Sequence, residues 1–94
     1  MGNKAKKYST ELDDHDCQLI LENAKIPSEL LKATLTRLAQ IKGMHTIRMT
    51  ENEMSKVAVQ MEAAIKVALP KSKKAKELGA IRDELESWLY DLQN

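Results

Sequence analysis

The sequence predicts an all-α fold: a single domain of four helices, packed as a bundle or as a looser orthogonal array. Three observations predict it. Apolar residues recur at helical spacing through most of the 94-residue chain. Core-forming residues are Leu, Ile, Val, Ala and Met, with five Met and no Phe, a set suited to close helix–helix packing. Only two Pro and three Gly interrupt the chain, too few turn signals for a sandwich or barrel of short strands.

Residues 1–8 read as a flexible basic tail, with Lys4, Lys6 and Lys7 and no acid. The start Met1-Gly2-Asn3-Lys4-Ala5-Lys6 is similar to a myristoylation site, but Lys6 stands where Ser or Thr is needed. The helical domain is expected over 9–94. Its first helix spans about residues 10–23, capped by Thr10-x-x-Asp13 or Asp13-x-x-Asp16. The acidic cluster there suits the positive end of a helix dipole. Cys17, Ile20, Leu21 and Ala24 form its apolar stripe.

The second helix, about 28–42, opens at Pro27-Ser28, since Pro is tolerated in a first turn. It carries Leu30, Leu31, Leu35, Leu38 and Ile41 and stops at Gly43, read as the residue just past its end. Met44 to Met49 follows as an extended linker or very short strand.

The third helix, about 51–69, is the best specified. Thr50-x-x-Glu53 makes a capping box, and Met49 with Met54 a hydrophobic staple around it. Met54, Val57, Ala58, Met61, Ala64, Ile65 and Ala68 form one stripe. At about 100° per residue, Val59, Ala63 and Val67 fall on the opposite side as a second ridge. Such a helix is either sandwiched in the middle of the fold or shared with a partner.

Pro70 ends the third helix, and a basic turn with Ser72 as cap leads into the fourth, about 73–92. Leu78, Ile81, Leu85, Trp88 and Leu92 give it a narrow 3-4-3-4 seam against another helix. Gly79 lies off that seam, where it either admits a close backbone or has no role. No internal repeat or low-complexity segment is visible.

Ninety-four residues fit one domain, and a chain this short buries only roughly 60–65% of its unfolded surface. A net charge of +1 excludes a global field that would steer it to nucleic acid or anionic membrane. With Cys17 alone, no intrachain disulfide forms and a reducing compartment is expected. No apolar run approaches the ~20 residues of a membrane span, so the expected location is cytoplasmic.

Catalytic signatures are missing: no nucleophile–base pairing, no Gly-rich phosphate loop and no spaced carboxylate pair. The expectation is a non-enzyme without a cofactor. Asp13-Asp14-His15-Asp16-Cys17 is the densest group of metal-ligand types, but His15 points about 160° away from Cys17 on a helix. Zinc needs three or four converging ligands, so no metal is expected. Cys17 sits on an apolar stripe beside carboxylates, which raise a thiol's pKa, and reads as a core residue.

What remains is binding. The leading expectation is a regulator, adaptor or inhibitor that works by protein–protein contact, self-association as a dimer included, with a partner the chain does not name. Its interface residues are Val59, Ala63 and Val67, with Trp88 and Tyr90 as anchors. Burying one Val is worth roughly 1.5–2 kcal/mol, a modest drive to associate. Trp88 also belongs to the fourth-helix seam, whereas Tyr90 lies off it.

The alternative is a DNA-binding regulator. Ala33, Thr36, Arg37 and Gln40 share the solvent face of the second helix, with Lys42 and Arg48 nearby. Arg suits guanine, Gln adenine, and Thr or Ala a thymine methyl. The run Ala33-Thr34-Leu35-Thr36-Arg37-Leu38, with Lys42-Gly43-Met44 beyond it, resembles the recognition helix and wing entrance of winged-helix regulators. That resemblance implies a helix-turn-helix-like reading face on the second helix. It departs from the family over 27–42, where no turn separates two helices. Lys73-Lys74-Ala75-Lys76 fits a loose nuclear-localisation pattern and reads as a solvated basic turn.

Overall fold

The computed structural model describes residues 6–93, and side chains through Asp91. In chain order its elements are β1 (Lys7–Asp13), α1 (Asp14–Asn23), α2 (Glu29–Leu38), β2 (Met44–Thr50), α3 (Glu51–Val67) and α4 (Lys73–Gln93). The all-α expectation is overturned. β1 and β2 pair antiparallel along their full lengths, so the fold is a mixed α+β one with four helices and a two-stranded sheet. The reason is a period-2 pattern, Tyr8-Thr10-Leu12 in β1 and His45-Ile47-Met49 in β2, that turns one face of each strand into the core.

Several boundaries move with it. Of the expected tail, Lys7 and Tyr8 open β1, and residues 1–5 lie outside the described residues. The first helix starts at Asp14 because the preceding residues belong to a strand. α2 stops at Leu38, and Gln40 donates to the Arg37 carbonyl at 3.1 Å in a tight turn. Gly43 therefore does not end α2. It opens β2 at φ 122°, a conformation that favours glycine, and exchanges hydrogen bonds with Asp14.

A repeat invisible as residue identity organises the chain. Counting from Lys7 in β1 and from Met44 in β2, the two strands have the same alternation of exposed and buried positions. Each runs without a break into a helix, and the junction residue caps it. Asp13 Oδ1 accepts from the Asp16 amide at 2.7 Å, and Asp16 Oδ2 accepts from the Asp13 amide at 3.2 Å. Thr50 Oγ1 accepts from the Glu53 amide at 3.1 Å, and Glu53 Oε1 accepts from the Thr50 amide at 2.8 Å. These are two capping boxes at equivalent places. Cys17 and Ile20 in α1 then match Met54 and Val57 in α3, all fully buried.

The strand pairing obeys the same symmetry. Thr10 pairs with Ile47, its own counterpart, so a pseudo-two-fold axis passes through that pair. α2 packs on β2 and α4 on β1, so each half covers the other half's strand. The halves differ in length: α3 has 17 residues against 10 in α1, and α4 has 21 against 10 in α2. The extra turns form a hairpin of α3 and α4, braced by Arg82 between Glu62 (2.5 Å) and Asp83 (2.9 Å).

Leu35, Met61, Leu78 and Leu85 fill the centre of the core. Trp88 is half-buried against it, and Leu92, last in the expected seam, lies outside the described side chains. A Cβ at Gly79 meets only Arg82 Nη2 at 3.9 Å, so no backbone approaches there. Gln60 of α3 clasps the α1–α2 turn. Its Oε1 accepts from the Lys25 amide at 2.5 Å, and its Nε2 donates to the Lys25 carbonyl at 2.6 Å.

Candidate nucleic-acid interface on the ribbon

The two faces of the ribbon have opposite fates. Thr10, Leu12, Ile47 and Met49 are sealed in the core, with Tyr8 and His45 half-buried at the ends of the same face. Lys7, Ser9 and Glu11 of β1 and Met44, Thr46 and Arg48 of β2 stand on the other face, exposed. Across the strands the outer pairs are Lys7 with Thr50, Ser9 with Arg48, Glu11 with Thr46, and Asp13 with Met44. One end of the face is thus basic, through Lys7 and Arg48, and the other acidic, through Glu11 and Asp13.

A groove flanks each long edge of the ribbon. On one side Lys7, Thr46 and Arg48 face Ser28, Leu30 and Thr34 at the start of α2, with the capping residue Glu53 also in the lining. Ser28 Oγ accepts from the Leu31 amide at 3.0 Å, so α2 begins beside the basic end with its free N–H groups there. On the other side Ser9, Glu11 and Met44 face Glu84 and Trp88. There α4 presents its middle, because its extra turns carry its N-terminus beyond the ribbon.

The chain matches no family model, and no curated protein or solved structure is significantly similar to it.

The residues expected to read DNA from the second helix are divided by the structure. Arg48 lies on the outer face of β2. Thr36 and Arg37 are exposed on α2, and the Thr36 hydroxyl donates to the Lys32 carbonyl at 2.8 Å. Gln40 and Lys42 fall in the turn beyond α2, so the four-residue helical face is cut short. No wing hairpin follows α2 either, since β2 pairs with β1 and leads straight into α3.

On α3 the second ridge faces solvent rather than the middle of the fold. Val59 is 66% exposed and Val67 86%, with Ala63 exposed between them. Tyr90 is 68% exposed on α4, away from Trp88, which lines the acidic groove.

The acidic cluster has structural work. Asp13 and Asp16 form the cap, and the Gly43 amide at 3.1 Å holds the Asp14 carboxyl below its ordinary pKa. His15 Nε2 meets Glu77 at 3.0 Å. Burial, with Asp16 and Asp13 close by, pushes the buried Cys17 thiol up to about 11. Among the described residues no three His, Cys, Asp or Glu side chains converge to hold a metal ion, and no helix is long and apolar enough to cross a membrane.

Sequence reasoning missed Lys7, Ser9, Glu11 and Thr46. The signal that finds them is the alternation over 7–13, which repeats the one over 44–50.

Proposed function

We propose that this protein binds duplex DNA by laying the outer face of its ribbon in the major groove, and that it works by binding rather than by catalysis. The observation that carries this reading is the ribbon itself: one face is anchored in the core, and the other is uncovered and almost wholly polar. A B-form major groove, about 12 Å wide, admits a two-stranded ribbon. Strands about 4.8 Å apart and seven residues long give a ribbon of roughly 20 Å. Arg48 suits the O6 and N7 of guanine, Ser9 and Thr46 suit several base edges, and Lys7 suits a phosphate. The first turn of α2, beside Lys7 and Arg48, adds backbone N–H groups that favour a phosphate.

The test is binding of fluorescent mixed-sequence duplexes across a salt series. Affinity should fall steeply and log-linearly with salt; Lys7→Ala should lower that slope by about 1, whereas Arg48→Ala should cost about 1–3 kcal/mol and relax the preference for guanine. An RNA duplex, whose major groove is deep and narrow, should compete poorly. Binding that ignores salt, or no binding to any duplex, refutes the reading.

A second reading keeps a protein partner, because exposed Val59, Ala63 and Val67 line up on one side of α3. In it the protein is a regulator or adaptor, and self-association is the first case to test. Light scattering should then give a dimer mass, reduced to a monomer by Val59→Asp with Val67→Asp, and the wild-type Tm should rise with protein concentration while that of the variant does not. A monomeric wild type removes self-association.

A further inference from the structure

The two halves place different side chains at equivalent points of the outer face. Lys7 corresponds to Met44, Ser9 to Thr46, and Glu11 to Arg48, about the axis through Thr10 and Ile47. Two identical strands would offer the same groups to both halves of a groove and so match a palindrome. This ribbon does not. Arg48 donates a forked pair of hydrogen bonds, for which guanine O6 and N7 are the natural acceptors. Glu11, in the corresponding place, only accepts, and the donor a base offers it is the cytosine N4 amino group. A guanine there would set two acceptors against a carboxylate.

The flanking grooves repeat the contrast. Arg48 is bordered by Lys7 and the start of α2, whereas Glu11 is bordered by Glu84, Trp88 and the middle of α4. The two cations of the outer face, Lys7 and Arg48, therefore lie on one side of the axis only.

We infer that a single copy of the chain reads a directional, non-palindromic duplex site, with Arg48 taking a guanine in one half-site and Glu11 a cytosine at the equivalent place in the other. This rests on the proposal that the outer face enters the major groove. The asymmetry is a property of this chain's own residues, because both strands lie in one polypeptide.

The experiment selects bound molecules from a pool of short duplexes with a randomised centre, using the full chain, and sequences them. The enriched site should lack two-fold symmetry, and one protein should bind per duplex. Glu11→Ala should erase the cytosine preference in its half-site while the guanine preference of the Arg48 half-site persists. The loss in discrimination should be about 5- to 150-fold. Glu11→Arg puts the same side chain at this one pair of equivalent places and should enrich guanine at both of them. Glu11 is exposed, so both variants keep the fold.

A palindrome enriched by the wild type, or base preferences unmoved by Glu11→Ala, overturns directional reading while leaving ribbon binding intact. Failure to bind any duplex overturns both.

Discussion

Thr10 and Ile47 lie opposite one another at the centre of the ribbon, and each fills in its own half the place the other fills in the second. Both are 1% exposed. Thr10 is the polar member, and its hydroxyl donates to Glu84 Oε2 at a long 3.4 Å. Replacing both the hydroxyl and its weak bond by a methyl should cost nothing, since Glu84 is exposed and returns to water. Thr10→Val should therefore match the wild type or gain up to about 1 kcal/mol in urea unfolding. Ile47→Thr buries a second hydroxyl and should lose about 1–3 kcal/mol. A clear loss in Thr10→Val would mean that the bond to Glu84 holds α4 on β1.

Gln60 substitutes for a missing backbone partner at Lys25. Removing its amide in Gln60→Ala leaves both Lys25 groups to water, and the expected cost is about 1 kcal/mol. Hydrogen exchange gives the local readout: the Lys25 amide should lose protection while amides in the middle of α3 keep theirs. Equal loss at both places would show that Gln60 supports the whole domain rather than the turn.

Two glycines should respond to alanine with opposite signs. Gly43→Ala meets no steric obstacle but inherits φ 122°, and should lose about 1–2 kcal/mol. Gly79→Ala sits within α4 with only the end of Arg82 nearby, and should gain up to about 1 kcal/mol. Thermal melts of the two single variants decide it.

His15 should give stability a pH dependence near neutrality. Its hydrogen bond with Glu77 and that carboxylate's charge raise its pKa above the ordinary 6.5. The folded state then holds the proton more tightly than the unfolded one. That contribution is complete below the ordinary value and is lost as pH rises through the raised one. The ring is more than half exposed, so the effect is small. Tm measured on both sides of neutrality should fall as pH rises in the wild type, and Glu77→Gln should flatten that step. An unchanged step in Glu77→Gln would trace it to another group.

The helices were legible where local chemistry specifies them. Thr50 and Glu53 announce the start of α3, and Leu78, Ile81 and Leu85 face the core as their spacing demands. The ribbon was not, because a strand is defined by its partner, and Lys7–Asp13 pairs with a segment beyond two intervening helices. Tyr8 and Leu12 are its only apolar residues, and Thr10 hides the pattern between them. The repeat was masked because matching places keep a role and not a residue: Asp13 and Thr50 both cap, and Cys17 and Met54 both fill core. Unequal helix lengths obscured it further. Arg48 was named as a DNA contact from the sequence, but its neighbours on the outer face became visible only with the pairing register.

Because α2 covers β2 and α4 covers β1, neither half owns a complete core. Two separate half-chains would have to find each other, and would part on dilution. The short connection through Ala39 to Gly43 makes that meeting intramolecular, at an effective concentration on the order of millimolar. Folding of the intact chain is thereby independent of how much protein is present, a freedom that an assembly of two unlinked protomers lacks.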